Sequence, residues 1–284
     1  MADNGGEVDW KYYRYNPSMA AAVIFIILFF LVSALHLYQT VRTRTWIFIP
    51  FVIGGFLQFV GYIARAVSAA ESPNRTVGAY AASTILLLVA PALFAASIYM
   101  MLGCIILVTD GEHHSIIRKR WLTKIFVTGD VISFIVQGAG AGIMSSGTIS
   151  NIHTGEHIII VGLVIQILFF GCFIVISVIW HTRMCKVPTS RIISTSMPWE
   201  MQLFALYAAS GLILVRSVFR LIEYGQGNDG YLISHEVVLY IFDSLLMWIT
   251  MAILAWVHPS EIMALLKGGK ALAVRRGVDI YQLR

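Results

Sequence analysis

The chain has 284 residues, of which 58% are apolar and 12% charged, with a formal net charge of +5. Soluble domains carry roughly 45–50% apolar and about 25% charged residues, and a mean hydropathy of +0.79 means more apolar surface than a fold of this length can bury. This excludes a soluble enzyme, a secreted disulfide scaffold and a disordered regulator; basic residues scattered between apolar runs, rather than gathered on one face, argue against nucleic acid as a partner.

A membrane-spanning helix needs about 20 predominantly apolar residues. Residues 1–16, with Asp3, Glu7 and Asp9, form a polar N-terminal segment without the basic start of a signal peptide. Seven runs then qualify as spans, at 17–41, 46–70, 79–109, 124–147, 156–181, 201–224 and 236–257. Pro91 predicts a kink in the third. None alternates in polarity as barrel strands do. The expected fold class is therefore an all-α membrane protein, one seven-helix domain over 17–257. Residues 258–284 form a basic tail, in which His258-Pro259-Ser260-Glu261 opens a stretch to Arg276 that reads as a short interfacial helix or, equally, as one frayed by Gly268-Gly269.

Lysine and arginine distribution orients the chain. Arg42 and Arg44, then Arg118 to Lys124, then Arg183 to Arg191, then the tail's Lys267, Lys270, Arg275, Arg276 and Arg284 all fall on one side. The other side carries Lys11, Arg14 and Arg75. The N-terminus is expected outside and the tail in the cytosol. Asn74-Arg75-Thr76 then places a glycosylation sequon at Asn74 in an outer loop.

Ionisable groups within a span are costly and by default functional. The sixth run carries Arg216, Arg220 and Glu223, spaced four and three apart and so on one helical face. The seventh carries Glu236, Tyr240 and Asp243 at the same spacings, and the second aligns Gln58 with Arg65. The predicted topology brings Arg65, Arg216, Arg220, Glu223, Glu236 and Asp243 to the outer half of the bundle. There the charges can cancel around a polar cavity open to the outside, or simply tie helices together. Arginines suit a phosphate head group, and carboxylates suit an ammonium. Asp130 and Gln137, seven apart in the fourth run, share a face in which Asp130 lies deeper and has no evident cationic partner. They are candidates for a cytosolic gate or a proton-linked step, or equally for a hydrogen bond to a neighbouring helix. Gly138, Gly140 and Gly142 follow and read as a close-packing surface.

Other chemistry is not indicated. The histidines form no His-Glu-x-x-His set, His113-His114 sits in a polar loop, and His235 beside Glu236 has no partner spacing. Cys104, Cys172 and Cys185 match neither a disulfide framework nor a zinc site and read as small buried side chains. No nucleophile elbow or phosphate loop stands in a plausible context. No cofactor, metal or catalytic residue is assigned. The expected partners are membrane lipids and an amphipathic lipid substrate, with a homo-oligomer or a membrane-protein partner left open.

Several ordered motifs carry a resemblance. They are Tyr15-Asn16-Pro17-Ser18, Gly61-Tyr62-Ile63-Ala64-Arg65, Ala90-Pro91-Ala92 with Ala95-Ala96-Ser97-Ile98-Tyr99, and Gly129-Asp130-Val131-Ile132-Ser133-Phe134 with Gln137-Gly138. Gly162-Leu163 with Gln166, the run Leu214 to Tyr224, His235-Glu236 with Tyr240 and Asp243, and His258-Pro259 continue it. Over about 15–260 the chain resembles the fungal lipid-translocating exporters, also called the resistance-to-aminocholesterol family, which include a sphingoid long-chain base exporter. It departs at Leu102-Gly103-Cys104, where the family usually shows Leu-Gly-Arg. The resemblance implies movement of amphipathic lipids or lipid-like toxins, in a fungal plasma or internal membrane. The polar residues above would receive the head group, and no ATP hydrolysis is expected. A seven-helix lipid or sterol sensor, an accessory scaffold of another flippase and an intramembrane lipid-modifying enzyme remain the alternatives.

Overall fold

The computed structural model describes residues 18–71, 77–144, 149–194, 199–226, 236–268, 272–275 and 277–282. Among them run seven helices long and apolar enough to cross a membrane. These are α1 Met19–Thr43, α2 Ile49–Ala70, α3 Val77–Val108, α4 Lys119–Met144, α5 Ile149–Lys186, α6 Trp199–Gly225 and α7 Glu236–Trp256. The chain is a multi-pass, all-α membrane protein. α5 has 38 residues, about 57 Å, against a hydrocarbon thickness of ~30 Å, so it extends beyond the lipid.

Local chemistry sets the helix ends. The Ser18 hydroxyl accepts from the Ala21 N–H at 3.3 Å and caps α1. At the far end Arg44 turns left-handed (φ 54°), and a 3₁₀ turn, Trp46–Phe48, leads into α2. Pro50 lies in the first turn of α2, where no helical N–H is needed.

The exterior is apolar because lipid replaces water there. Leu31, Ile135, Leu168 and Val237 are 60–68% exposed, while the aromatic side chains of Phe29, Phe51, Phe94, Tyr99 and Phe173 are fully buried. α3 lies at the centre, packed on α2, α4 and α6, and α1 packs on α2 and α7. Gly54 permits the close approach of α2 to α3, since a Cβ there would lie 2.9 Å from the Ala90 carbonyl oxygen. Of the three glycines expected to form a packing face, an added Cβ at Gly140 would meet Gly155 and Ile159 of α5, whereas Cβ atoms at Gly138 and Gly142 would meet open space. Cys172 and Cys185 are exposed rather than buried, because α5 turns them away from the core.

The tail also departs from expectation. Its helix, α8, covers only Ser260–Leu266 and packs its buried face on α3. Gly268 (φ +80°) ends it. Strands β1 Leu272–Arg275 and β2 Asp279–Gln282 then pair antiparallel, with Leu272 opposite Gln282. Gly277 (φ +86°) supplies the positive φ of the intervening turn. The hairpin is tied to the bundle: Gln39 Nε2 donates to the Gly277 carbonyl at 2.6 Å, the Val274 N–H to Ser260 Oγ at 2.8 Å, and the Tyr281 hydroxyl to Glu261 at 2.6 Å.

Candidate functional site: a membrane-buried arginine–carboxylate network

Four spans and the start of α1 meet in one polar network. On α6, Arg216 Nε pairs with Asp243 of α7. Arg220 uses both terminal nitrogens, Nη1 on Glu223 Oε2 at 2.9 Å and Nη2 on Asp243 Oδ2 at 3.0 Å. Asp243 is thus held by two guanidinium groups. On α2, Arg65 lies 3.6 Å from Glu236 of α7, and its Nε donates to the Tyr240 hydroxyl at 3.3 Å. Glu236 in turn accepts the Ser18 N–H at 2.8 and 2.9 Å, which puts a carboxylate at the positive N-terminal end of α1.

Burial makes these pairings obligatory. Arg65 and Arg216 are 4% exposed, Glu223 7% and Asp243 2%. An unpaired charge at such a position would be far costlier than a paired one. Among the described residues three arginines face three carboxylates, and their charges balance. Of the two arrangements the sequence allows, a polar cavity and a direct tie between helices, the described residues show the pairing: these side chains of α2, α6 and α7 bond to one another. A cleft bordering Arg216 and Arg220 lies on the side of α3, α4 and α5. It is lined by Thr84, Gln137, Gln166 and Tyr224 among others and has room for about one water.

α7 achieves this arrangement with a π-helical segment, Tyr240–Leu245. Leu239, Tyr240, Asp243 and Ser244 all face the interior there. Ser244 shares a hydrogen bond with the Tyr62 hydroxyl of α2. Beside it, Phe25 stacks on Tyr240 and Tyr62 with centroids 5.3 and 5.6 Å apart, closing the network off from the rest of the α1–α7 seam.

The fourth span's two candidates separate. Gln137 reaches the cleft of Arg216 and Arg220; its Nε2 donates to Ser133 Oγ at 2.8 Å and to Gln166 Oε1 at 3.1 Å. Asp130, two turns away on the same helix, accepts the Tyr99 hydroxyl at 2.9 Å instead. It is 4% exposed, its Oδ1 is buried without a hydrogen-bond partner, and it enters no ion pair among the described residues. Asn74 and His235 lie outside the described residues. Among those described, no group of three or more His, Cys, Asp or Glu side chains forms a metal cluster.

Reading the sequence alone missed several participants. Ser18, Tyr62, Ser244, Thr84 and Tyr224 are ordinary residues in a span, and only neighbours distant in the chain give them a role. The Leu87 carbonyl, which accepts from Arg216 Nη2 at 3.0 Å, had one available signal: Pro91 four residues later.

The sequence profile described as RTA1 like protein matches residues 51–265 of the chain. Protein RTM1 of Saccharomyces cerevisiae is 36% identical, over 86% of this chain and 90% of its own length. Protoporphyrin uptake protein 1 of the same species is 36% identical, over 82% and 86%. Its sphingoid long-chain base transporter RSB1 is 27% identical, over 86% and 72%. No solved structure matches the chain.

Proposed function

The chain belongs to the RTA1-like family, and from that membership we propose that it translocates amphipathic lipids across the bilayer without hydrolysing ATP. The observation that carries this reading is the sharing of Asp243 between Arg216 and Arg220 inside the membrane. Such a network can exchange partners. A head-group phosphate would take the guanidinium forks in place of a carboxylate, and an ammonium would take Glu223, Glu236 or Asp243 in place of an arginine. The lipid tail would stay in the bilayer, so no continuous aqueous pore is required. The names of the relatives, a sphingoid long-chain base transporter and a protoporphyrin uptake protein, support an amphiphile as cargo.

In this reading Arg65, Arg216, Arg220, Glu223, Glu236, Tyr240 and Asp243 receive the head group. Gln137 joins them from the cleft, and Asp130 gates the opposite side. The N-terminus is outside, the tail cytosolic, and the membrane the plasma membrane. The test is leaflet exchange of fluorescent lipids in vesicles containing the purified protein.

One observation favours a second reading. Among the described residues the charges balance and the cleft beside them has room for about one water, which suits an accessory scaffold of another flippase whose network ties helices together. No leaflet exchange by the purified, folded protein is the signature of that alternative.

A further inference from the structure

A second opening lies along the other half of α7. Leu28, Leu31 and Leu35 of α1 face Trp248, Ala252 and Trp256 of α7 across a groove of about 300 Å³, at the lower end of the ~300–1,000 Å³ of small-molecule sites. The spacings of three and four give each helix one continuous stripe. Leu31 and Trp256 are exposed to the surrounding lipid, and no ionisable side chain lines the groove. Its floor is firm: behind it His36 Nε2 bonds the Met251 carbonyl and Gln39 Nε2 the Ala255 carbonyl, each at 2.9 Å.

The two ends differ. Towards the arginine–carboxylate network, Phe25 stacked on Tyr240 closes the seam one turn before Leu28. At the opposite end the groove stops at Gly277 in the hairpin turn. The chain around that end is basic. Arg42 lies in the last turn of α1, Arg44 caps it, and Lys267 Nζ donates to the Arg44 carbonyl at 3.1 Å. From Arg42 to Leu28 is about 21 Å along α1. Half a bilayer with its head groups measures about 20–22 Å.

We propose that this groove holds an acyl tail of a phosphate-headed lipid from the leaflet on the hairpin side, with the phosphate among the basic residues. It is the loading site of the pathway. An apolar slot whose far end lies one leaflet's depth from the cations matches such a lipid and disfavours a cationic head group. The loading role rests on the translocation reading; binding of the lipid does not.

Native mass spectrometry of the purified protein with dioleoylphosphatidylglycerol, and with dioleoylglycerol as the tail-matched lipid lacking phosphate, tests the site. The wild type is expected to retain one phosphatidylglycerol and not the diacylglycerol. Ala252→Trp, which fills the groove, is expected to weaken that binding about tenfold or more, equivalent to about 1.4 kcal/mol. Should Ala252→Trp fail to fold, Leu31→Trp from the exposed wall carries the same expectation. Unchanged phosphatidylglycerol binding in a folded variant overturns the site, as does equal retention of diacylglycerol. A wild type that binds but moves no lipid defeats the translocation reading and leaves the site intact. A variant that loses binding yet moves lipid at the wild-type rate overturns the loading role.

Discussion

Arg216 donates to the Leu87 carbonyl at 3.0 Å, and Leu87 lies four residues before Pro91. Proline has no N–H, so α3 leaves that carbonyl without its helical donor. In a membrane an unsatisfied carbonyl costs several kcal/mol. The α6 arginine satisfies it from Nη2 while Nε pairs with Asp243 of α7. One side chain therefore joins three spans, and the gap left by the proline is one of its anchors.

This relationship predicts energetic coupling. Pro91→Ala restores the helical donor to Leu87, so Arg216 contributes less in that background. In a double-mutant cycle read by unfolding of the purified protein, Arg216→Ala is expected to cost at least about 0.5 kcal/mol less with Pro91→Ala than without it. Additive effects would mean that the carbonyl contact contributes nothing.

Arg220 spans Glu223 and Asp243 with separate nitrogens, a geometry that an ammonium cannot copy. Arg220→Lys is expected to destabilise by about 1.5–3 kcal/mol, the worth of a charged hydrogen bond. Asp243→Ala, which leaves Arg216 without its carboxylate and Arg220 with Glu223 alone, is expected to cost about 3–5 kcal/mol. Arg65→Lys, whose contact with Glu236 is longer at 3.6 Å than those of Arg220, is expected to be milder than Asp243→Ala. Thermal unfolding in detergent ranks the three, and an Arg65→Lys loss exceeding that of Asp243→Ala would refute the assigned centre.

The spans were legible because length and hydropathy suffice for them, and the charged faces because 216, 220 and 223, like 236, 240 and 243, follow helical spacing. That logic ends within one helix. It could not choose between an open cavity and a closed ion network, because the choice depends on whether Arg216 and Asp243 meet across the α6–α7 seam. The π segment at Tyr240–Leu245 has no marker residue. Gln137 and Asp130 share a helical face, so spacing grouped them, yet their partners Gln166 and Tyr99 come from different helices. In the tail, apolar and basic residues around Gly268 fit an interfacial helix and a hairpin equally until Ser260, Glu261 and Gln39 supply the hairpin's bonds.

His258 lies just beyond α7, is 1% exposed, and accepts the Ser260 N–H on Nδ1 at 3.3 Å. Burial first, and His36 with its ring 6.3 Å away second, hold its imidazole well below its ordinary value of about 6.5. The folded protein thus keeps it neutral where the unfolded chain protonates it. Its contribution is present above about pH 6.5 and is lost progressively as pH falls below that value, since the unfolded state then binds the extra proton. Between pH 8 and 5 the wild type is expected to lose more thermal stability than His258→Gln does. Parallel curves would show that this histidine is not the source of acid sensitivity.

Close approach at Gly54 predicts a contrast with Gly138. Gly54→Val drives a side chain against the Ala90 backbone and is expected to abolish the monodisperse peak in size-exclusion chromatography. Gly138→Ala, facing open space, is expected to leave that peak unchanged and to raise stability by up to about 1 kcal/mol through helix propensity. Equal behaviour of the two would contradict the α2–α3 packing.

The most direct measurement is leaflet exchange of fluorescent sphingoid base and phospholipid in vesicles holding purified protein. Wild type is compared with Glu223→Gln and Arg216→Ala, each checked for folding. The account predicts that wild type accelerates exchange and that both folded variants lose the acceleration. Normal exchange by folded Arg216→Ala, or no exchange by folded wild type, would contradict it.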